Sequence, residues 1–466
     1  MLKKWIERFS VKQPARQVKQ EEPAEAPDFV LKDFTGQPLT EEHARYIQLL
    51  VEQAGKVDRA RKVFGAKSHG YRLKPVAPIE KIERFEEKYQ VVLPPEYRFF
   101  LTQVGDGGAG PFHGLYSLDK AEAYHQYPEN MKKSAWIDQK LTKEEWLEVM
   151  TEPVDATREE DDLAYDRSME LVHSGIQLIG TQGCTYDNLL MLNGAEAGKV
   201  VYIDWNLDPE WPPALTGQTF LEWYESYFKE IIRGNSVQHY GNLLLQTEEQ
   251  LVEAYSSAKG EEKHLILASF SRFPKVAPTS LALLKKRDDP ELDALRLELL
   301  FSLDPAAGLA LFDQLIQGAN PAAAIRCARQ MPESHKDAYY HQMVSLLYLP
   351  ETEGRQRILF FLTDCSSLNG EDLVPLALDD SVDEELRTTA IWVISKTPDK
   401  QRFLAHYIEW LRGDSYRIAH SALQGISDVA DQRLLDTYGD LLAKYPHDQV
   451  MRANLKSALA ANGIEI

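Results

Sequence analysis

The sequence is short of cysteine, of paired histidines, of long apolar runs and of positive charge. Its three cysteines, Cys184, Cys327 and Cys365, stand far apart, and no Cys-x-x-Cys or mixed Cys/His spacing occurs. A disulfide framework needs an even, regularly spaced set and a zinc site needs converging ligands, so the pattern supports neither. Reduced, buried thiols are expected, which points to the cytoplasm. No stretch reaches the roughly 18 apolar residues of a membrane span. The opening Met1-Leu2-Lys3-Lys4-Trp5-Ile6-Glu7-Arg8-Phe9 has no apolar run of secretory-signal length. So short a basic, aromatic start would hold an anionic surface weakly, and no stable membrane association is expected.

The signatures of catalysis are missing too. The 12 histidines never fall at i and i+4, and neither Gly-x-Ser-x-Gly nor His-Glu-x-x-His occurs. The run Gly105–Gly110 follows a helical segment and precedes Pro111-Phe112. A phosphate loop needs a strand before it, a helix after it and a Lys-Ser/Thr pair. The chain is therefore expected to have no catalytic residues, no metal and no cofactor.

What is present is acid. The formal charge is −20, and residues 1–74 hold 15 Lys/Arg against 10 Asp/Glu, leaving 75–466 with a net −25. A surface of this sign repels phosphate backbones and attracts basic proteins, so a protein partner is expected and nucleic acid is not. The same charge also serves solubility. Residues 135–170 carry 12 Asp/Glu against 4 Lys/Arg, with Glu159, Glu160, Asp161 and Asp162 at the centre. Four successive acids point four ways on a helix and cannot converge on one ion. They suit either a solvated insertion or a docking surface for a basic partner.

At 466 residues the chain exceeds one core. Residues 1–38 read as a flexible N-terminal arm of linker composition. Residues 39–74 read as a helical lead-in, capped at Thr40 with Ala44, Ile47, Leu50, Val51 and Ala54 at helical spacing. Residues 75–235 read as mixed α/β. Pro78 opens a helix with Ile79, Ile82, Phe85 and Tyr89 on one face, and Pro94-Pro95 open a second, Glu96 to Val104. Strands are expected at 175–180, 188–192 and 199–205, then an aromatic helix at 219–233. Between them lies Asp204-Trp205, with Trp211 six residues on. Tryptophan among acids and prolines in a loop suits a binding anchor as well as local packing.

From 245 to 466 only helical patterns remain. Arg296, Arg326, Arg357, Arg387 and Arg417 recur at 30, 31, 30 and 30 residues, and Arg452 follows 35 later. Acids precede several of them: Asp293, Glu353, Asp383, Asp414 and Asp448. Recurring acid and arginine would bond between turns or units, and the period resembles short HEAT repeats, stacked helix pairs that bury one another's apolar faces.

Phe85-Glu86, Leu93-Pro94, Glu96-Tyr97, Phe99-Phe100-Leu101, Gly107-Gly108 and Gly114-Leu115 follow in one order. That series resembles the SUKH superfamily, the Smi/Knr-type domain. Leu93, Pro94, Glu96, Tyr97, Gly107 and Gly108 are the motif positions, read as structural. The resemblance implies an α+β domain with no shared catalytic centre. Bacterial members are read as immunity proteins that neutralise toxins, many of them nucleases, and fungal relatives act through protein partners in cell-wall regulation. The expected architecture is a SUKH-like α+β domain followed by a HEAT-like α-helical solenoid. The expected function is non-catalytic protein binding, as the immunity half of a toxin–antitoxin pair that holds a toxin or other basic protein. The alternative is a regulatory scaffold that assembles cellular proteins through the repeats. Glu159, Glu160, Asp161, Asp162, Asp204, Trp205 and Trp211 are the candidate partner-binding residues.

Overall fold

Thr40 accepts a hydrogen bond from the His43 N–H at 3.3 Å and caps helix α1, Glu41–Val57. The computed structural model that shows this describes residues 29–151, 159–206, 212–461 and 463–464, without the side chains of 151 and 159–164. The chain divides into two compact units at Ser280/Leu281.

In the first unit α1 is part of the main core. Its Ile47, Leu50, Val51 and Ala54 are buried, and it packs on the aromatic helix near residue 220. Most of the expected arm lies outside the described residues. From Phe29 onward it is laid on α1, with Phe29 stacked on Tyr46, Phe34 stacked on His43, and the Lys32 N–H donating to the Tyr46 hydroxyl at 3.0 Å. Helix α2, Ile79–Tyr89, follows Pro78 and buries Ile82, Phe85 and Tyr89, while Ile79 is left exposed. The second proline-led helix covers the expected residues but changes pitch part-way. α3 spans Pro95–Phe99 and then widens into a π-turn over Phe100–Val104, closed by Gly105 N–H to Phe100 C=O at 2.9 Å.

Helices α4, Lys143–Thr151, and α5, Glu159–Val172, precede a four-stranded antiparallel meander. Its strands are β1 Ile176–Gly183, β2 Tyr186–Met191, β3 Lys199–Asp204 and β4 Ala214–Thr219. The fourth strand is not expected from sequence. Pro212-Pro213 before it and Gly217 within it are turn chemistry, and only pairing with β3 makes the segment extended. Both faces of the sheet are covered. Val200 and Tyr202 look to the helical core, while Val201 and Ile203 look to a second core with Ile137, Trp146 and Val172. Thr219 then forms a capping box with Glu222 and starts α6, Phe220–Ile232.

The first unit runs past residue 245, where the repeats are expected to begin. Helices α7, Glu248–Tyr255, and α8, Gly260–Ser269, belong to it. The turn after α8 carries Arg272, which is buried and pairs with the buried Glu230 of α6; the Ser236 N–H donates to the Arg272 carbonyl at 2.7 Å. A buried ion pair of this kind is invisible to pattern, because its members lie on different elements.

The second unit is a stack of helices. These are α9 Asp293–Leu303, α10 Pro305–Ile316, α11 Ala322–Cys327, α12 Tyr340–Leu347, α13 Arg355–Leu362 and α14 Val374–Leu378. They continue as α15 Glu384–Ile394, α16 Leu404–Arg412, α17 Tyr416–Ile426, α18 Gln432–Lys444 and α19 Gln449–Ala461. The odd-numbered helices pack in succession as one row, and each even-numbered helix packs on a member of it. This is the architecture expected of HEAT-like repeats.

The period, however, is not set by the arginines. Ile358, Leu359, Phe361 and Leu362 are buried on α13; Ala390, Ile391, Val393 and Ile394 take the same places on α15, and Ala422, Leu423 and Ile426 on α17. Over α13, α15 and α17 the helices therefore repeat every 32 residues. Arginines spaced by 30 slip two residues per unit, roughly 200° around a helix. Arg357 and Arg417 are exposed and Arg387 half-buried, whereas Arg296 is fully buried beside Asp288. Three of the acids have other uses. Asp383 caps α15 through the Glu385 N–H at 2.9 Å, Asp448 takes the Met451 N–H at 2.7 Å, and Asp293 pairs with Arg287. Acid before a helix is a cap here, which is its commonest use.

Candidate functional site

Two of the motif residues, Glu96 and Tyr97, reach α6. The Glu86 carboxylate accepts the Leu93 N–H at 2.9 Å and pairs with Arg98, fixing the extended link between α2 and α3. Pro94 then turns the chain into α3. Glu96 reaches across to the start of α6 and accepts the Leu221 N–H at 2.9 Å, satisfying one of the donors that a helix leaves open at its first turn. Tyr97 is buried edge-on against Phe220, with ring centroids 4.9 Å apart. Gly107 and Gly108 hold positive φ of +84° and +101°, and Gly108 bridges to both Leu73 and Leu115, whose other neighbour is Gly180 of β1. The glycine pair thus adds strand-like pairing beside β1. Residues 77–226 match the model of the SMI1 / KNR4 family (SUKH-1). That part of the chain is a SUKH domain. No curated protein matches the chain.

On the SUKH domain the candidate partner-binding residues fall at the end of the sheet and at α5. Glu159, Glu160, Asp161 and Asp162 begin α5, but their side chains lie outside the described ones, and Trp211 lies outside the described residues altogether. Asp204 closes β3. Burial works against its charge, but hydrogen bonds from the Thr185 hydroxyl at 2.5 Å and the Asn206 N–H at 3.1 Å outweigh it and hold the carboxyl below its usual range. Trp205 is half-buried. Its ring stacks on His173 at 4.7 Å and its Nε1–H donates to Asp187 at 2.8 Å, while burial raises the Asp187 pKa. Trp205 is thus held rigidly by its own domain.

His173 itself is buried and donates from Nδ1 to the Met169 carbonyl at 2.7 Å. Burial drives its pKa down to about 4, does the same to His69, and lowers His125, whose ring lies 5.4 Å from that of His173. An unfolded histidine takes its proton near 6.5, so between 6.5 and about 4 the unfolded chain binds more protons than the folded one. The stability from these neutral rings is complete above pH 6.5 and drains as pH falls toward 4. Urea midpoints should drop clearly between pH 7 and pH 5; an unchanged midpoint would show that these rings stay accessible to protons.

Sequence scanning misses one catalytic-looking pair. His43 Nε2 and Glu225 Oε1 lie 2.5 Å apart, with Lys229 on the other carboxylate oxygen at 2.9 Å and Phe34 stacked over the imidazole. Both side chains are buried, so the pair ties α1 to α6 and offers a reactant no approach. Its members stand far apart in sequence, and no local signal links them. Among the described residues, no group of His, Cys, Asp and Glu is placed to hold a metal, and no helix is long and apolar enough to cross a membrane.

Proposed function

We propose that the protein is a non-catalytic, cytoplasmic binding protein of the immunity type, whose SUKH domain holds a toxin or other basic protein. The observation that carries this reading is the match of residues 77–226 to a family whose bacterial members include immunity proteins. The net −25 of residues 75–466 supports a basic partner. We propose that the contact is made by the candidate residues themselves, those at the start of α5 together with Asp204 and Trp205, with Trp211 near Trp205 in sequence.

Affinity capture from the native cell, read by mass spectrometry, names the partner. The partner should be toxic when expressed alone and harmless beside this chain. A partner that is harmless alone would replace immunity by the scaffold reading. With the partner in hand, reversing two of Glu159, Glu160, Asp161 and Asp162 to lysine should slow association about tenfold or more at low salt. The effect should shrink as salt rises, because exposed charges are screened over roughly 8 Å at physiological strength. Trp205→Ala should instead speed dissociation with little salt dependence, at a cost of about 2 kcal/mol. Trp205→Phe, which keeps the stack on His173, controls for folding. Wild-type kinetics in every variant at all salts would move the contact off this face.

A further inference from the structure

Within the second unit, helices α13, α15 and α17 of the odd-numbered row leave a groove of about 390 Å³ between them. Its apolar floor is Phe360 and Trp392, half-buried and edge-to-face at 5.8 Å. Phe360, Trp392 and Gln424 are 32 residues apart, so successive helices offer the same face to the groove. Hydroxyls of Thr388, Thr389 and Ser421 line its sides.

The charge of this groove is opposite to that of the chain. With a net −20 over the whole sequence, the lining has no carboxylate, and its one full charge is Arg417. Arg357 takes on α13 the place that Thr389 and Ser421 take on α15 and α17. Both arginines are exposed, and neither pairs with a carboxylate among the described residues, whereas Arg387 is held by Asp380. Lys396 adds an ammonium 4.7 Å from the centre of the Trp392 ring. The nearest acids on α15 stay outside the lining: Glu384 accepts from Ser415 at 2.8 Å and Glu385 from Gln356 at 3.1 Å.

Aromatic rings next to unpaired guanidinium groups complement a ligand that is apolar at one point and anionic beside it. We propose that this groove docks a segment of a partner protein in which an aromatic or aliphatic side chain is flanked by carboxylates. The apolar group seats on Phe360 and Trp392, and a carboxylate meets Arg417. A nucleic acid is the competing polyanion, and the surroundings disfavour it. Asp379 and Asp414 are exposed in the loops beside these helices, and such acids disfavour a continuous phosphate backbone more than a segment with a few local charges. The groove is separate from the SUKH domain, and its occupant is independent of the toxin reading.

The test is to pan a randomised peptide-display library on the full chain, on Trp392→Ala and on Arg417→Glu. The wild type should enrich peptides that place an apolar residue beside Asp or Glu. One such peptide, synthesised with a fluorophore, should bind each variant about tenfold or more weakly. Arg417 is exposed, so its variant should melt as the wild type does and separate lost binding from lost fold. No enrichment, enrichment of basic peptides, or equal binding by both variants would overturn the proposal. So would a labelled oligothymidylate that binds the wild type more tightly than any peptide and is lost in Arg417→Glu, which would reassign the groove to nucleic acid.

Discussion

Replacing Glu230 by alanine is expected to cost the first unit about 3–5 kcal/mol, among the largest effects of any single change in the chain. Glu230 is 2% exposed and Arg272 3%. The carboxylate also accepts from Arg233 at 2.9 Å and from the Asn235 amide at 3.0 Å. Without it the buried guanidinium would retain the Gln246 carbonyl at 2.6 Å and no counter-charge. A buried cation left alone is far costlier than the intact pair is valuable, and the asymmetry sets the size of the loss. Glu230→Gln, which keeps the shape and removes the charge, should fall between. Because the pair joins α6 to the turn after α8, hydrogen exchange in 248–272 should quicken before exchange elsewhere in the unit. A urea-derived loss below about 1 kcal/mol, the scale of an exposed pair, would show that water reaches the site.

The second large effect is expected at Gly108. An added methyl there would lie 2.5 Å from the Arg72 carbonyl oxygen and 2.9 Å from the Lys74 nitrogen, both main-chain atoms with nowhere to go. The φ of +101° adds backbone strain of about 1–3 kcal/mol for any L side chain, and overpacking adds a similar amount. Gly108→Ala should therefore lose several kcal/mol and be recovered mostly as insoluble protein. Gly217→Ala is the control. Its φ is +74°, but an added methyl meets nothing within 4 Å, so only the strain should appear. Equal melting temperatures for the two variants would mean that the 72–74 segment can withdraw from Gly108.

These effects divide along the line between what sequence exposes and what it hides. Local chemistry is legible: Thr40 and Thr219 cap helices, Pro78 and Pro94-Pro95 open them, and Gly107-Gly108 takes the positive φ that its composition suggests. The SUKH motif is legible as a string, but its geometry is not. Glu96 finds its donor on Leu221 and Glu225 finds His43, pairings made only once distant helices meet. The arginine period misleads for a related reason. A repeat of helices is defined by which residues are buried between neighbours, and the 32-residue rhythm of Ile358, Ala390 and Ala422 is carried by ordinary apolar residues that catch no eye. The groove over Phe360 and Trp392 follows that rhythm, so a scan at 32 rather than 30 would have found it.

Helix α6 has one more consequence, for how such chains are recombined. The family match stops at residue 226, inside a helix that runs to Ile232. Tyr227, Phe228 and Ile231, all buried, lie beyond that border, and Ile47 and Leu50 of α1 lie before residue 77. A graft cut at the family's limits would carry half of an interior and expose it. The piece that can travel between proteins is larger, taking in Phe29 at one end and Arg272 at the other. Inheritance of this module would then favour breakpoints outside those residues.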